Sequence, residues 1–340
     1  MILSVLDQST ASKGKAQDVA IRETLALARH CDALGYHRYW VSEHHNSGSI
    51  VGTAPEVLMA AIAATTPRIR VGSAGVMLPH YSALKVAEQF RVLEAIAPGR
   101  IDLGIGRAPG SDGLTAQALN PHPQDVEDQY PRQVQELQHW VSGTPLPDGH
   151  PYQKIFAQPK GPGTPEMWIL GSSNYGAQLA AYLGLPYAFA YFFGGGAGVE
   201  HALELYRRNF RPSEGTPKAK ATICVWALAA DSEEEAWRLF KSRERSSIDR
   251  EYGIRMPLIS PEEAASRAYS SAEAVIVEKL RRKSIVGTGA QVAEKLRELA
   301  QRLELDELVV VTWTYDPEPR HRSYELLARA FGLDAAARAA

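Results

Sequence analysis

Residues 69–106 read IRVGSAGVMLPHYSALKVAEQFRVLEAIAPGRIDLGIG, and the change of hydrophobic period inside this stretch decides the fold. Ile69–Leu78 and Ile101–Gly106 are short apolar runs of strand length, and Ala83–Ala95 between them carries its apolar residues at helical spacing. The unit is therefore strand, helix, strand. Upstream, Ile2–Asp7 and Tyr39–Val41 read as strands. Between them Ile21, Leu25, Ala28 and Cys31 share one helical face, and Gly35 ends that helix. Thr53 with Glu56, and Pro55 in the first turn, reads as a capping box opening the next helix. Downstream, strands are expected at Met167–Leu170, Tyr187–Phe192, Ala221–Ala229 and Leu308–Thr312. Helices are expected around Val134–Trp140, Asn174–Leu183, Glu200–Asn209 and Ser323–Phe331. Further capping boxes are read at Asp231 with Glu234 and at Thr288 with Gln291; the second opens a helix with Val292, Leu296, Leu299 and Leu303 on one face.

Eight strands alternating with helices predict an α/β fold, a (β/α)8 barrel formed as one domain over residues 1–340. A doubly wound open sheet is the rival. Two stretches break the rhythm, 110–125 after the fourth strand and 248–271 after the seventh. Loops of that length are expected to be lids or disordered.

Composition narrows the function classes. The 340 residues are 45% hydrophobic and 22% charged with a formal net charge of -2, which leaves no basic footprint for nucleic acid. No run of eighteen apolar residues suggests a membrane span. Lys13 and Lys15 follow the first apolar run, the wrong order for a secretory signal. Cys31 and Cys224 are too few and too far apart for a disulfide framework, and the ten histidines lack the paired spacing of a zinc site. These features predict a reduced, cytoplasmic protein without a metal.

In a (β/α)8 barrel the chemistry belongs where strands hand over to the following loops. Those positions hold Asp7, Glu43-His44-His45, Ala74-Gly75, Arg107, Gly171-Ser172-Ser173, Phe192-Phe193 and Thr314. Arg107 offers a planar fork that matches phosphate oxygens, or else it makes a surface ion pair. The glycines around it, Gly104, Gly106 and Gly110, miss the dinucleotide spacing by one position. The turn Gly171-Ser172-Ser173-Asn174-Tyr175-Gly176 brings backbone N–H groups, two hydroxyls and a helix N-terminus together, which suits an anion; an ordinary serine N-cap reads the same. Beside Arg107, the phosphate reading is the better one. Of His44 and His45 at most one faces the mouth, because neighbouring side chains on a strand alternate. A neutral imidazole there suits acid–base work, and a structural histidine is the alternative. Small residues at Ser73-Ala74-Gly75-Val76 leave room for a flat ring against backbone, or simply fit a crowded barrel.

These blocks resemble the bacterial-luciferase-like family of flavin-dependent oxidoreductases over nearly the whole chain. The residues that carry the likeness are 39–45 (YWVSEHH), 71–79 (VGSAGVMLP), 98–107 (PGRIDLGIGR), 169–173 (ILGSS) and 286–288 (VGT). The resemblance implies a TIM barrel that binds FMN, usually as a homodimer. It implies phosphate binding by Arg107 and by the Ser172-Ser173 turn, with Gly171 and Tyr175 among the cofactor-binding residues. It implies a non-proline cis peptide at Ala74-Gly75 beneath the flavin ring, and His44 as the catalytic residue near the reactive edge. Reduced FMN supplied by a separate flavin reductase would then activate O2 to oxidise a small-molecule substrate. Hydride transfer with a deazaflavin, a non-catalytic flavin-binding protein, and a glycosidase using Glu43 are the alternatives; the last needs a second carboxylate at the same cleft.

Overall fold

In the computed structural model, which describes residues 1–121, 126–213 and 215–333, nine parallel strands are joined through helices. They are β1 (Ile2–Asp7), β2 (Arg38–Val41), β3 (Arg70–Met77), β4 (Ile101–Gly106), β5 (Glu166–Gly171), β6 (Tyr187–Phe189), β7 (Ala221–Ala230), β8 (Ile285–Thr288) and β9 (Glu307–Val311). Strands β1 to β7 follow one another around a ring, β9 sits between β7 and β1, and the β6–β7 pairing closes it. A doubly wound open sheet is thereby excluded. The expected eighth strand is the ninth in order. β7 is ten residues long: Ile223–Trp226 pairs with β9 inside the barrel, and Ala227–Ala230 runs on to pair with β8 outside it.

Period-two alternation sorts the side chains into two cores. Leu3 and Val5 of β1, Tyr39 and Val41 of β2, and Ile223 and Val225 of β7 face the helices. Leu6, Trp40, Trp168, Trp226 and Val311 face the barrel interior. Glycine makes room for them: a Cβ on Gly72 would stand 2.5 Å from Trp40 Cδ1 and 2.7 Å from Asp102 Cβ. Towards the N-terminal ends of the strands the interior is ionic. Arg38 donates to Asp102 (2.8 Å), Glu166 (2.8 Å) and Glu307 (2.8 Å). Trp40 Nε1 donates to Asp102, Ser4 Oγ to Glu307, and Lys220 to Glu166. Burial opposes ionisation of Glu166, yet Arg38 and Lys220 hold its carboxyl down at about 2.

Several boundaries move. Pro55 is the first residue of its helix, so the N-cap is Ala54 and Thr53 makes no cap; Glu56 instead accepts from Gln89 Nε2. After β7 the cap is Ser232, which accepts from the Glu235 backbone, while Asp231 pairs with Arg322. Thr288 and Gln291 do form a capping box. Gly35 has φ 82 just beyond Ala33, where the first helix ends. β6 stops at Phe189 because Tyr191 N turns back to the Phe189 carbonyl. The stretch 248–271 is largely built: the helix Glu233–Glu251 runs through Ile248, and a short helix Pro261–Ala265 follows. Leu258, in the same stretch, is buried and bridges to Ser12. Of 110–125, Gly113–Leu119 is helical with Asp112 as its cap, and 122–125 lie outside the described residues.

Candidate active site

A cavity of about 500 Å3 opens at the C-terminal ends of the strands. Every residue expected of a flavin site lines it: His44, Ala74, Gly75, Arg107, Gly171, Ser172, Ser173 and Tyr175. Parity along the strands explains the selection. On β2 the inward register of Arg38 and Trp40 carries on to His44, which lines the cavity. Glu43 falls on the opposite parity and is buried away from the mouth. It accepts from the Met77 backbone (2.9 Å) and Tyr81 Oη (2.7 Å) and pairs with His45 Nε2 (2.8 Å). The same parity turns Asp7 outward, where it accepts from Tyr39 Oη (2.7 Å) and faces Arg320 (3.6 Å). A glycosidase therefore loses the one carboxylate it had at the mouth. No aspartate or glutamate lines the cavity among the described residues.

At one end, Arg107 leaves β4 exposed and lies over the Tyr175 ring at 4.2 Å. It makes no ion pair among the described residues. Ser173 is the N-cap of the helix Asn174–Leu183, and its hydroxyl makes no capping bond. The first-turn N–H groups of a helix have no partner inside it. Two buried hydroxyls, Tyr130 Oη and Tyr175 Oη, also lack partners. Tyr130, 1% exposed, lines the same cavity, and sequence reading missed it, since nothing local in a helical stretch marks one tyrosine for a site. Unclaimed donors around a guanidinium fit a phosphate.

The floor is Ala74-Gly75, joined by a cis peptide in β3 where its pairing with β4 is irregular. The reading that small residues fit a crowded barrel holds, since a Cβ on Gly75 would stand 2.7 Å from the Gly104 carbonyl; Ala74 and Gly75 also line the cavity. His44 Nδ1 lies 3.2 Å from Ser42 Oγ. Burial first, then Arg255, His45 and Arg250, pull its imidazole down to about 4, so it is neutral at pH 7.

The far wall carries residues that sequence reading also missed: Trp226, Trp313, Arg243, Arg250 and Arg255. A faint signal was present, because Arg243 and Arg250 are two turns apart and so share one face of their helix.

The profile of the luciferase-like monooxygenases matches residues 1–306. The chain belongs to that family. It is 38% identical over 332 residues to an N-acetyl-S-alkylcysteine monooxygenase of Bacillus subtilis (strain 168), covering 96% of this chain and 97% of that protein. The crystal structure of apo-MsnO8 superposes with a TM-score of 0.86 at 35% identity, covering 98% of this chain and 99% of that one. Two solved structures below 25% identity share the barrel. The oxygenating constituent of 3,6-diketocamphane monooxygenase from Pseudomonas putida, in complex with FMN, has a TM-score of 0.72 at 20% identity and covers 97% of each chain. An F420-dependent secondary alcohol dehydrogenase has a TM-score of 0.69 at 14% identity, covering 97% of this chain and 98% of that one.

Proposed function

We propose that this luciferase-like protein is an FMN-dependent monooxygenase that uses reduced FMN and O2 to oxidise a small organic substrate. The observation that carries the reading is the Arg107 guanidinium, without an ion pair among the described residues, beside the Ser173 turn that has no side-chain cap and the orphaned Tyr130 hydroxyl. Arg107, Ser172, Ser173 and the Gly171 backbone would hold the phosphate, with Tyr175 supporting Arg107 from below its plane. Ala74-Gly75 gives the ring a flat seat. Bound in its reduced form, FMN supplies the electrons with which O2 is activated. His44, neutral at pH 7 and engaged at Nδ1, is free to accept or return a proton at Nε2. Trp226, Trp313 and Phe192 are apolar walls that keep water from the reacting centre.

No nicotinamide fingerprint occurs near Arg107, which supports supply of reduced FMN by a separate flavin reductase. We also read the chain as a single domain that pairs as a homodimer: Val57, Val92 and Ile96 are exposed on the adjacent helices Pro55–Thr65 and Ala83–Ile96. Cys31 and Cys224, both free and buried, suit a reducing cytoplasm. No helix among the described residues is long and apolar enough to cross a membrane.

Fluorescence titration with FMN tests the core of the proposal. Arg107→Ala should weaken binding by roughly ten- to hundredfold, the worth of charge-assisted bonds to one guanidinium. Unchanged affinity removes the foundation of the assignment. Hydride-transfer chemistry, the second reading, shares the same anion seat and a barrel neighbour that uses F420; a parallel titration with a deazaflavin distinguishes it. FMN binding without any oxygen-dependent turnover would leave a non-catalytic flavoprotein.

A further inference from the structure

The cavity holds four arginines and, among the described residues, no carboxylate. Arg107 alone suffices for a cofactor phosphate. The other three stand on the opposite wall, contributed by the helix Glu233–Glu251 and the segment after it. Arg243 is 5% exposed and makes no hydrogen bond or ion pair to the protein among the described residues; its Nε and Nη1 are buried without partners. The Nε1 donors of Trp226 and Trp313, each nearly buried, are likewise unclaimed. All of the orphaned polar atoms on this wall are donors. A buried donor without an acceptor is costly, so the group that belongs here is an acceptor.

The neighbourhood is arranged to keep the cation rather than to neutralise it. The Arg243 guanidinium lies 4.5 Å from the Trp313 ring centre and 5.5 Å from that of Trp226, and such contacts stabilise a cation without consuming its hydrogen bonds. Burial and then Arg250 pull Arg243 down to about 9, which still leaves it charged at pH 7. On the same helix Arg245 is paired with Glu273 at 2.9 Å, so the absence of a partner at Arg243 is particular to the cavity wall. Arg250 and Arg255 stand exposed at the rim, next to His44.

We propose that Arg243, assisted by Arg250 and Arg255, is the substrate-binding anchor, and that the substrate is a small organic carboxylate whose apolar part lies against Trp226 and Trp313. The planar guanidinium fork matches the two oxygens of a carboxylate. Anchoring there places the rest of the molecule in the cavity that His44 also lines, on the side of Trp226 and Trp313. The inference rests on the flavin reading for the direction of the chemistry, and on the unclaimed donors alone for the charge of the ligand.

Hexanoate, hexanol and hexylamine share one apolar tail and serve as probes on the full-length protein saturated with oxidised FMN, with affinity measured by calorimetry. Hexanoate should bind at least tenfold more tightly than the other two. Arg243→Gln should weaken hexanoate by about ten- to hundredfold, to the level of hexanol, while FMN affinity stays within about twofold. Arg250→Gln and Arg255→Gln, both at the exposed rim, should each weaken hexanoate several-fold, and they carry the test if Arg243→Gln does not fold. Equal binding of the three probes overturns the inference, and so does an Arg243→Gln protein that loses FMN as strongly as hexanoate, since Arg243 would then hold the cofactor. Selective hexanoate binding by a chain that takes no FMN would instead overturn the proposed function and leave the anion site standing.

Discussion

His44 shows how environment decides what a side chain can do. Its imidazole sits at about 4 rather than 6.5 because burial and two nearby arginines penalise the cation. Between those values the unfolded chain binds more protons than the folded one, so stability is fully present above about pH 6.5 and falls as the pH drops towards 4. The loss attributable to this residue is at most roughly 3–4 kcal/mol over the whole window. Urea denaturation at pH 7 and pH 5 should therefore show a smaller decrease for His44→Asn than for the unaltered protein. Equal decreases would mean that His44 is protonated in the folded state. The local sequence left His44 and His45 both open and the family resemblance pointed to His44; of the two, His44 is the one that lines the cavity.

Among the elements, helix starts show both the reach and the limit of sequence signals. The spacing of Thr288 and Gln291 predicts a capping box, and the box is present, with Thr288 accepting from the Gln291 backbone and Gln291 answering to the Thr288 N–H. Thr288→Ala should lower stability by about 1 kcal/mol, seen as a shifted denaturation midpoint with unchanged slope. A neutral substitution would show that packing of Val292 and Leu296 holds the helix start without the cap. The same motif misled at Thr53, where Pro55 takes the first helical position and sets the boundary one residue later. It misled again at Asp231, where the run Asp231-Ser232-Glu233-Glu234-Glu235 offers two overlapping frames and Arg322 draws Asp231 away. A capping signal is local, but the choice between adjacent frames is made by a distant partner.

The whole barrel is tied at its lower end by one guanidinium that reaches three strands. Arg38 of β2 bonds Asp102 of β4, Glu166 of β5 and Glu307 of β9, and its partner in β9 lies 269 residues away in sequence. Arg38→Met should cost about 3–5 kcal/mol, because Glu307 would be left as a buried charge without its cation and Asp102 would keep only Arg70. Thermal and urea unfolding of the variant check this, and a loss below about 1 kcal/mol would show that Arg70 and Lys220 compensate. Nothing in the neighbourhood of Arg38 in sequence announces this network, since its members are scattered over the strands and meet only when the ring closes.

Alternating apolar periods were enough to establish the strand and helix rhythm, to favour a barrel over an open sheet, and to mark the strand ends where Arg107, the Ser172-Ser173 turn and His44 would stand. Those features are encoded within a few residues of one another, so a single stretch of chain displays them. Closure of the sheet, the outer pairing of β8 with β7, the burial of Glu43 and the gathering over the mouth of Arg243, Arg250 and Arg255, without ion pairs among the described residues, were decided by tertiary structure. Each depends on residues far apart in the chain being forced together by hydrophobic burial, and on which charges are then left without a partner.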